Sequence, residues 1–371
     1  MFKYILLIFF LSNSLEQSNV YMIKTINSSN MVKMFKKLNI TLGEKIGLKV
    51  HSGEIGGIYF LTPDFLQEIY DYTNGTFIEC NAAYEGGRHT TEAHEKLLND
   101  HGWTKNNRRF EIMDSDPNED FNLTINNPAM IKENIVGGKL KNYDSCIVLS
   151  HLKGHSMGGF GGALKQLSIG FASQRGKTWI HTAGNVTEWE KMDEFIANQE
   201  NFTASMGDAA ASIVEFFRQR KGIAFINVVA NISKECDCAG GLAPAPEIKD
   251  IGILASTDPV ALDRACVDLV KGTHEKGTED WVNQLNNLKG ENIIAVAESH
   301  GIGTQKYNLI LVEDDNKDDD GGKEDKTTLI IIVVSTIVGV AILVTTFVCC
   351  VLRNNNQKAQ EDFHLTQKMN E

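Results

Sequence analysis

The sequence predicts an α/β domain on a mainly parallel or mixed sheet flanked by helices, followed by one C-terminal transmembrane helix. Three observations lead there. Short β-branched runs alternate with helix-like stretches between Leu15 and Val312. Several of these runs are apolar on both faces, as the buried strands of a parallel sheet are. An uncharged apolar run, LIIIVVSTIVGVAILVTTFVCCVL, fills 329–352.

The strands expected in chain order are Lys45 to Val50, Thr76 to Cys80, Phe110 to Met113, Ser145 to Ser150, Ala224 to Val229, Ile251 to Ala255 and Leu309 to Val312. Between them the pattern predicts helices over Met31 to Leu38, Phe65 to Tyr72, Thr91 to Asp100, Phe202 to Arg220, Pro259 to Val270, Trp281 to Leu288 and Ile293 to His300. Pro259 suits a first helical position after the capping residue Asp258. His94, in the first turn of the third of these helices, is expected to be just a helix-face residue. In such a fold ligands gather at the carboxyl ends of the strands.

The rest of the chain reads as export and tethering. Lys3 precedes a short apolar run from Tyr4 to Leu11, with small residues Ser12 and Ser14 at cleavage spacing, so 1–14 is expected to be a signal peptide. The α/β ectodomain is expected over 20–312, an acidic stalk (EDDNKDDDGGKED and the residues after it) over 313–328, the transmembrane helix over 329–352 and a cytosolic tail over 353–371. At about 1.5 Å per residue the apolar run spans the roughly 30 Å hydrocarbon core. Arg353, Lys358 and Lys368 beyond it favour a cytosolic tail, hence a single-pass type I arrangement with a lumenal or extracellular ectodomain. Sequons starting at Asn27, Asn39, Asn74, Asn122, Asn185, Asn201 and Asn231 would allow glycosylation there. The formal charge of −12 argues against nucleic acid as a partner. Cys80, Cys146, Cys236, Cys238 and Cys266 are an odd set with no framework spacing, which points to a fold that arose in a reducing compartment.

The densest polar cluster is HLKGHSMGGFGGALK, His151 to Lys165, directly after the apolar strand CIVLS. Lys153 and Lys165 are candidate catalytic cations. Gly158, Gly159, Gly161 and Gly162 before a helix starting near Ala163 form either an anion cradle of exposed amides or a close helix-to-sheet contact that needs glycine. The order is neither that of a Walker loop nor G-x-G-x-x-G. Arg88 in ECNAAYEGGRHTTEAH could hold an anionic substrate group. His151, His155 and His181, the last in a turn-like HTAGN, together with Cys236 and Cys238, form a mixed N/S set suited to Zn or Fe, with Glu235 or Asp237 behind it. The C-x-C spacing is expected to leave little room for mutual disulfide closure and so to favour a soft metal or redox chemistry. Asp258 is either a catalytic carboxylate or simply the helix cap.

Together NVYMIKTI, LKVHSGEIGG, IECNAAYEGGRHTTEAH, LSHLKGHSMGGFGGALKQLSIG, KTWIHTAG, ECDC and IGILASTDPVALDRACVDLV resemble the bacterial and archaeal family called domain of unknown function 362. The resemblance covers Val20 to about Val312. It implies an α/β domain and marks Lys153, His155, Lys165, His181, Cys236, Cys238 and Asp258 as recurring positions. Some members carry an inserted iron–sulfur module. Here GNVTEWEKMDEFIANQEN occupies that place without cysteine, so no ferredoxin-type cluster is expected, since ligation needs four thiolates. The functions left open are a metal-dependent enzyme or redox protein acting on a small anionic metabolite, a non-catalytic surface receptor or adhesion module, and a phosphate- or nucleotide-binding enzyme without metal.

Overall fold

The computed structural model describes residues 17–314. The expected signal peptide, nearly all of the stalk, the transmembrane run and the tail lie outside the described residues. Among the described residues no helix is long and apolar enough to cross a membrane.

In chain order the elements are β1 (Ser18–Ile23), α1 (Ser28–Lys37), β2 (Ile46–Lys49), α2 (Gln67–Thr73), β3 (Thr76–Glu79), α3 (Thr91–Asp100), β4 (Phe110–Ile112), β5 (Phe121–Thr124) and β6 (Glu133–Val136). There follow β7 (Ser145–His151), β8 (Lys153–His155), β9 (Gly159–Gly161), α4 (Ala163–Ser168), α5 (Gln174–His181), α6 (Gln199–Arg218) and β10 (Ile223–Val229). The chain continues through β11 (Gly252–Ser256), α7 (Pro259–Lys271), α8 (Thr278–Asn287), α9 (Asn292–Ser299) and β12 (Tyr307–Leu311).

Among the described residues eight strands form one sheet in the order β12-β1-β11-β10-β7-β2-β3-β4. The run β10-β7-β2-β3-β4 is parallel. β11 runs against both its neighbours, β1 and β10, which makes the sheet mixed. Period-two alternation explains how the strands bury both faces. In β7, Cys146 and Val148 enter one hydrophobic core while Ile147 and Leu149 enter the other. In β10, Phe225 and Val229 go with the first pair and Ala224, Ile226 and Val228 with the second. Helices α4, α6, α7 and α9 cover the first face, and α1 contributes Met31 and Met34 to the second.

Among the described residues the strands and helices expected over 20–312 are present, with ends shifted by a few residues. β1 was not expected as a strand: its half-polar sequence gains strand structure by filling the slot between β11 and β12. The two-stranded pairs β5-β6 and β8-β9 were also missed, because three- and four-residue strands leave too little sequence for a period to register. HTAGN is not wholly a turn, since α5 runs to His181, started by Ser173 accepting from the Gly176 amide.

Candidate active site

The carboxyl ends of four parallel strands converge. His51 lies just past β2, Glu79 and Cys80 at the end of β3, Ser150 and His151 at the end of β7, and Glu235, Cys236, Cys238 and Ala239 in the loop that leaves β10. With the β8-β9 hairpin, α4 and α5 they line a cavity of about 370 Å3. Gly154 lets the hairpin lie against the β10 loop: its amide donates to the Ser233 carbonyl at 2.8 Å, and a Cβ there would meet the Lys234 oxygen at 2.3 Å. The cysteine-bearing loop and the lysine- and histidine-bearing hairpin therefore form one wall.

Hydrogen bonds decide what each histidine can do, because a neutral imidazole offers one donor and one acceptor. Nδ1 of His151 faces both Asp237 oxygens at 3.0 Å and Nε2 faces the Ala230 carbonyl at 2.6 Å. Both nitrogens are occupied by protein oxygens, so neither is open to a metal; the expected ligand is instead a brace for Asp237. His155 accepts at Nδ1 from the Met157 and Gly158 amides at 3.0 and 2.9 Å, which puts its proton on Nε2. His51 is arranged alike, accepting at Nδ1 from Gly53 at 3.1 Å. His181 is the reverse: Nδ1 donates to the Lys177 carbonyl at 2.7 Å, leaving Nε2 as the acceptor, and its ring stacks on Phe202 at 4.7 Å. Burial first, then neighbouring cations, lowers all three of these cavity histidines, His181 to about 4. They are neutral, two presenting N–H and one a lone pair.

The sulfurs of Cys236 and Cys238 are joined, against the expectation that the spacing hinders closure. The reason is local. Cys236 caps a 3-10 turn over Asp237–Leu242, which brings the two Cα atoms to 5.3 Å, within the usual range for a disulfide. Nε2 of His155 lies 3.8 Å from Sγ of Cys238. His155, Cys236 and Cys238 bring potential ligand atoms within 4.8 Å of one another, so by donor type and spacing they could hold a metal ion once the sulfurs are reduced. As hydrogen-bonded, the group does not fit one: the sulfurs are consumed by each other and the His155 nitrogen nearest them carries a proton. His181 lines the same cavity but stands outside that cluster. The other described cysteines, Cys80, Cys146 and Cys266, are buried thiols. Burial pushes their pKa values well up, which keeps them protonated.

Positive charge dominates the wall. Arg88, Lys153, Lys165 and Lys177 face two lining carboxylates, Glu79 and Glu235. Two of the cations are balanced. Arg88 donates to Glu79 at 2.8 Å and approaches Glu54 at 3.4 Å, so its guanidinium is largely committed to carboxylates. Burial opposes the charge on Glu79, but Arg88 and His94 outweigh it and hold its carboxyl well below the usual range. Lys153 is paired with Asp237, which His151 and Lys153 hold ionised despite burial. Lys177 donates to the Ala172 carbonyl at 2.6 Å. The Lys165 ammonium has no hydrogen-bond or ion-pair partner among the described residues. Burial, then Lys153 and Arg88, draws it down to about 7.

The glycine turn is not an open cradle. The Asp263 carboxylate takes the Ala163 and Leu164 amides at 2.9 and 2.8 Å, and a Cβ on Gly162 would meet it at 2.6 Å. Gly158 gives its amide to His155, while Gly159 and Gly161 pair with His155 and Lys153 in the hairpin. Of the two readings left open by the sequence, close packing is the one that holds. Asp258 lies off the cavity wall, its oxygens taken by Ser18, Val260, Ala261 and Thr304. His94, expected to be just a helix-face residue, is fully buried between Asn81 and Glu79. His51 and Lys177 were missed as wall residues. His51 follows an apolar strand as His151 does, and that signal could have found it; Lys177 was hidden because no helix was expected where α5 lies.

These wall residues belong to a stretch that matches a recognised family, described as Domain of unknown function (DUF362), over residues 46–268. The chain belongs to the DUF362 family. No curated protein matches this DUF362 chain. Among solved structures it is similar to the lactate racemase apoprotein from Thermoanaerobacterium thermosaccharolyticum, with a TM-score of 0.39 and 13% identity, covering 68% of this chain and 57% of that one. It is also similar to a Thermotoga maritima protein, with a TM-score of 0.35 and 12% identity, covering 73% and 58%. The DUF362 chain thus spans less than two thirds of either neighbour, and at these scores neither likeness carries an argument about chemistry.

Proposed function

We propose that this domain is an enzyme that binds a small anionic metabolite in the cavity and uses the Cys236–Cys238 pair as its redox group. The observation that carries the reading is Lys165, a cation without a partner on a wall where Arg88 and Lys153 are already balanced. An anion would supply the missing acceptor, and the N–H groups of His51 and His155 would complete its donors. His181, neutral with Nε2 free of a donated proton, is the wall's proton acceptor. Lys153 and Asp237 keep the hairpin and the cysteine loop in register. A metal would require both reduction of the pair and a turn of the His155 proton from Nε2, and no step is routed through one. The receptor reading loses ground because the polar residues line a cavity instead of packing singly.

The test is calorimetric titration of the full chain with sulfate and with a small dicarboxylate. Binding that falls at least tenfold in Lys165→Met supports the reading. Equal, or absent, binding in both proteins overturns it.

The tethered arrangement belongs to the same proposal: export, anchoring through 329–352, a lumenal or extracellular ectodomain, and no nucleic acid partner. It is supported by the uncharged run and by sequon residues Asn39, Asn74, Asn122, Asn185 and Asn231, which are exposed. Resistance to alkaline carbonate extraction together with a glycosidase-sensitive mass would bear it out; full release by carbonate would defeat it.

A further inference from the structure

We propose that the Cys236–Cys238 pair exchanges electrons with an anionic low-molecular-weight disulfide, Cys238 acting as the nucleophile and Cys236 as the resolving thiol. The inference rests on the anion-binding reading above and names the substrate class. Three features of one wall support it. The sulfurs line the same cavity as Lys153 and Lys165, where a carboxylate-bearing disulfide would be drawn to both the charge and the reactive pair. The two sulfurs are unequal in access: Cys236 is buried and Cys238 is partly exposed. The His155 N–H faces Cys238 and is fixed there by the two amides on the far side of its ring. A thiolate is the attacking species, and a donor beside it favours that form.

The step balances without a further reagent. In the reduced protein the Cys238 thiolate attacks one sulfur of the substrate R–S–S–R, breaking that bond and releasing R–S⁻, which takes up the proton Cys238 gave up. The Cys236 thiolate then attacks Sγ of the mixed disulfide, closing Cys236–Cys238 and releasing the second R–S⁻, protonated in turn. The protein dithiol is oxidised by two electrons and the substrate disulfide is reduced to two thiols. The closed pair in the structure is the product state, and each new turnover requires a dithiol reductant.

The experiment uses the full chain reduced with dithiothreitol and freed of it, mixed with one of two dialkyl disulfides, the dianionic 3,3′-dithiodipropionate or the cationic cystamine. Adducts are mapped by peptide mass, so thiols elsewhere in the chain do not confuse the result. The expected outcome is closure of Cys236–Cys238 at least tenfold faster with the anionic probe, a preference lost in Lys165→Met. Cys236→Ser should trap a stable adduct on Cys238. No adduct on Cys238 in that variant, or no closure in the wild type, overturns the proposal. So does a reduced chain that carries a soft metal at stoichiometry and fails to react. Sulfate binding to the oxidised protein separates the two claims: intact binding without exchange sinks only the exchange, whereas exchange indifferent to probe charge, with no sulfate binding, sinks the anion-binding reading as well.

Discussion

His181 donates its Nδ1 proton to the carbonyl of Lys177, one helical turn earlier at 2.7 Å, and so presents an unprotonated Nε2 to the cavity that Lys177 also lines. A C-terminal turn of α5 thereby fixes a tautomer. The same burial that orders the ring holds it neutral, with its ionisation lowered to about 4.

This relationship predicts the nitrogen-15 resonances of His181. Its ring should show the Nδ1–H tautomer from pH 5 to pH 8, with no titration in that interval. A midpoint near the ordinary histidine value of about 6.5, or an Nε2–H pattern, would show that the α5 turn does not set its chemistry.

Lys165 predicts the pH dependence of anion binding. Its ammonium is drawn down to about 7, so the charge is present below that pH and lost as pH rises through it. Sulfate, which does not titrate here, should bind more tightly at pH 6 than at pH 8. A charge-assisted hydrogen bond contributes about 1.5–3 kcal/mol, and one group titrating at about 7 limits the change between these two pH values to roughly tenfold. Calorimetry on Lys165→Met should give a flat profile; a slope unchanged in that variant would assign the effect to another group.

Asp263 predicts stability. Its oxygens accept from the Ala163 and Leu164 amides and from Asn227 Nδ2 at 2.7 Å, all buried. In Asp263→Ala these donors lose their acceptor, each at about 1–3 kcal/mol, so urea unfolding should show a loss of roughly 3 kcal/mol or more. Asp263→Asn, which keeps the volume and one acceptor oxygen, should lose less. Equal losses in the two variants would mean that packing, not hydrogen bonding, fixes the start of α4.

Much of the fold was legible in the residues because the signals are local. The runs CIVLS and AFINVV are apolar throughout, and a strand buried on both faces must be so. Asp258 followed by Pro259 marked the start of α7 for the same reason: the cap accepts from the next turn, at Val260 and Ala261. Because polar residues directly after such strands emerge at their carboxyl ends, the sequence by itself brought Arg88, His151, Lys153, His155, Lys165, Cys236 and Cys238 to one rim. The lining of the cavity holds all of them.

What each of those groups can do was decided only by tertiary contacts. The partners that set the protons of His151, Asp237 and Ala230, lie 86 and 79 positions away. The carboxylate that fills the glycine turn comes from Asp263, 100 positions beyond Ala163. A side chain's type and its place after a strand are properties of a short stretch. Whether its lone pair or charge is free depends on which distant backbone or carboxylate packs against it, and no spacing within the stretch carries that information.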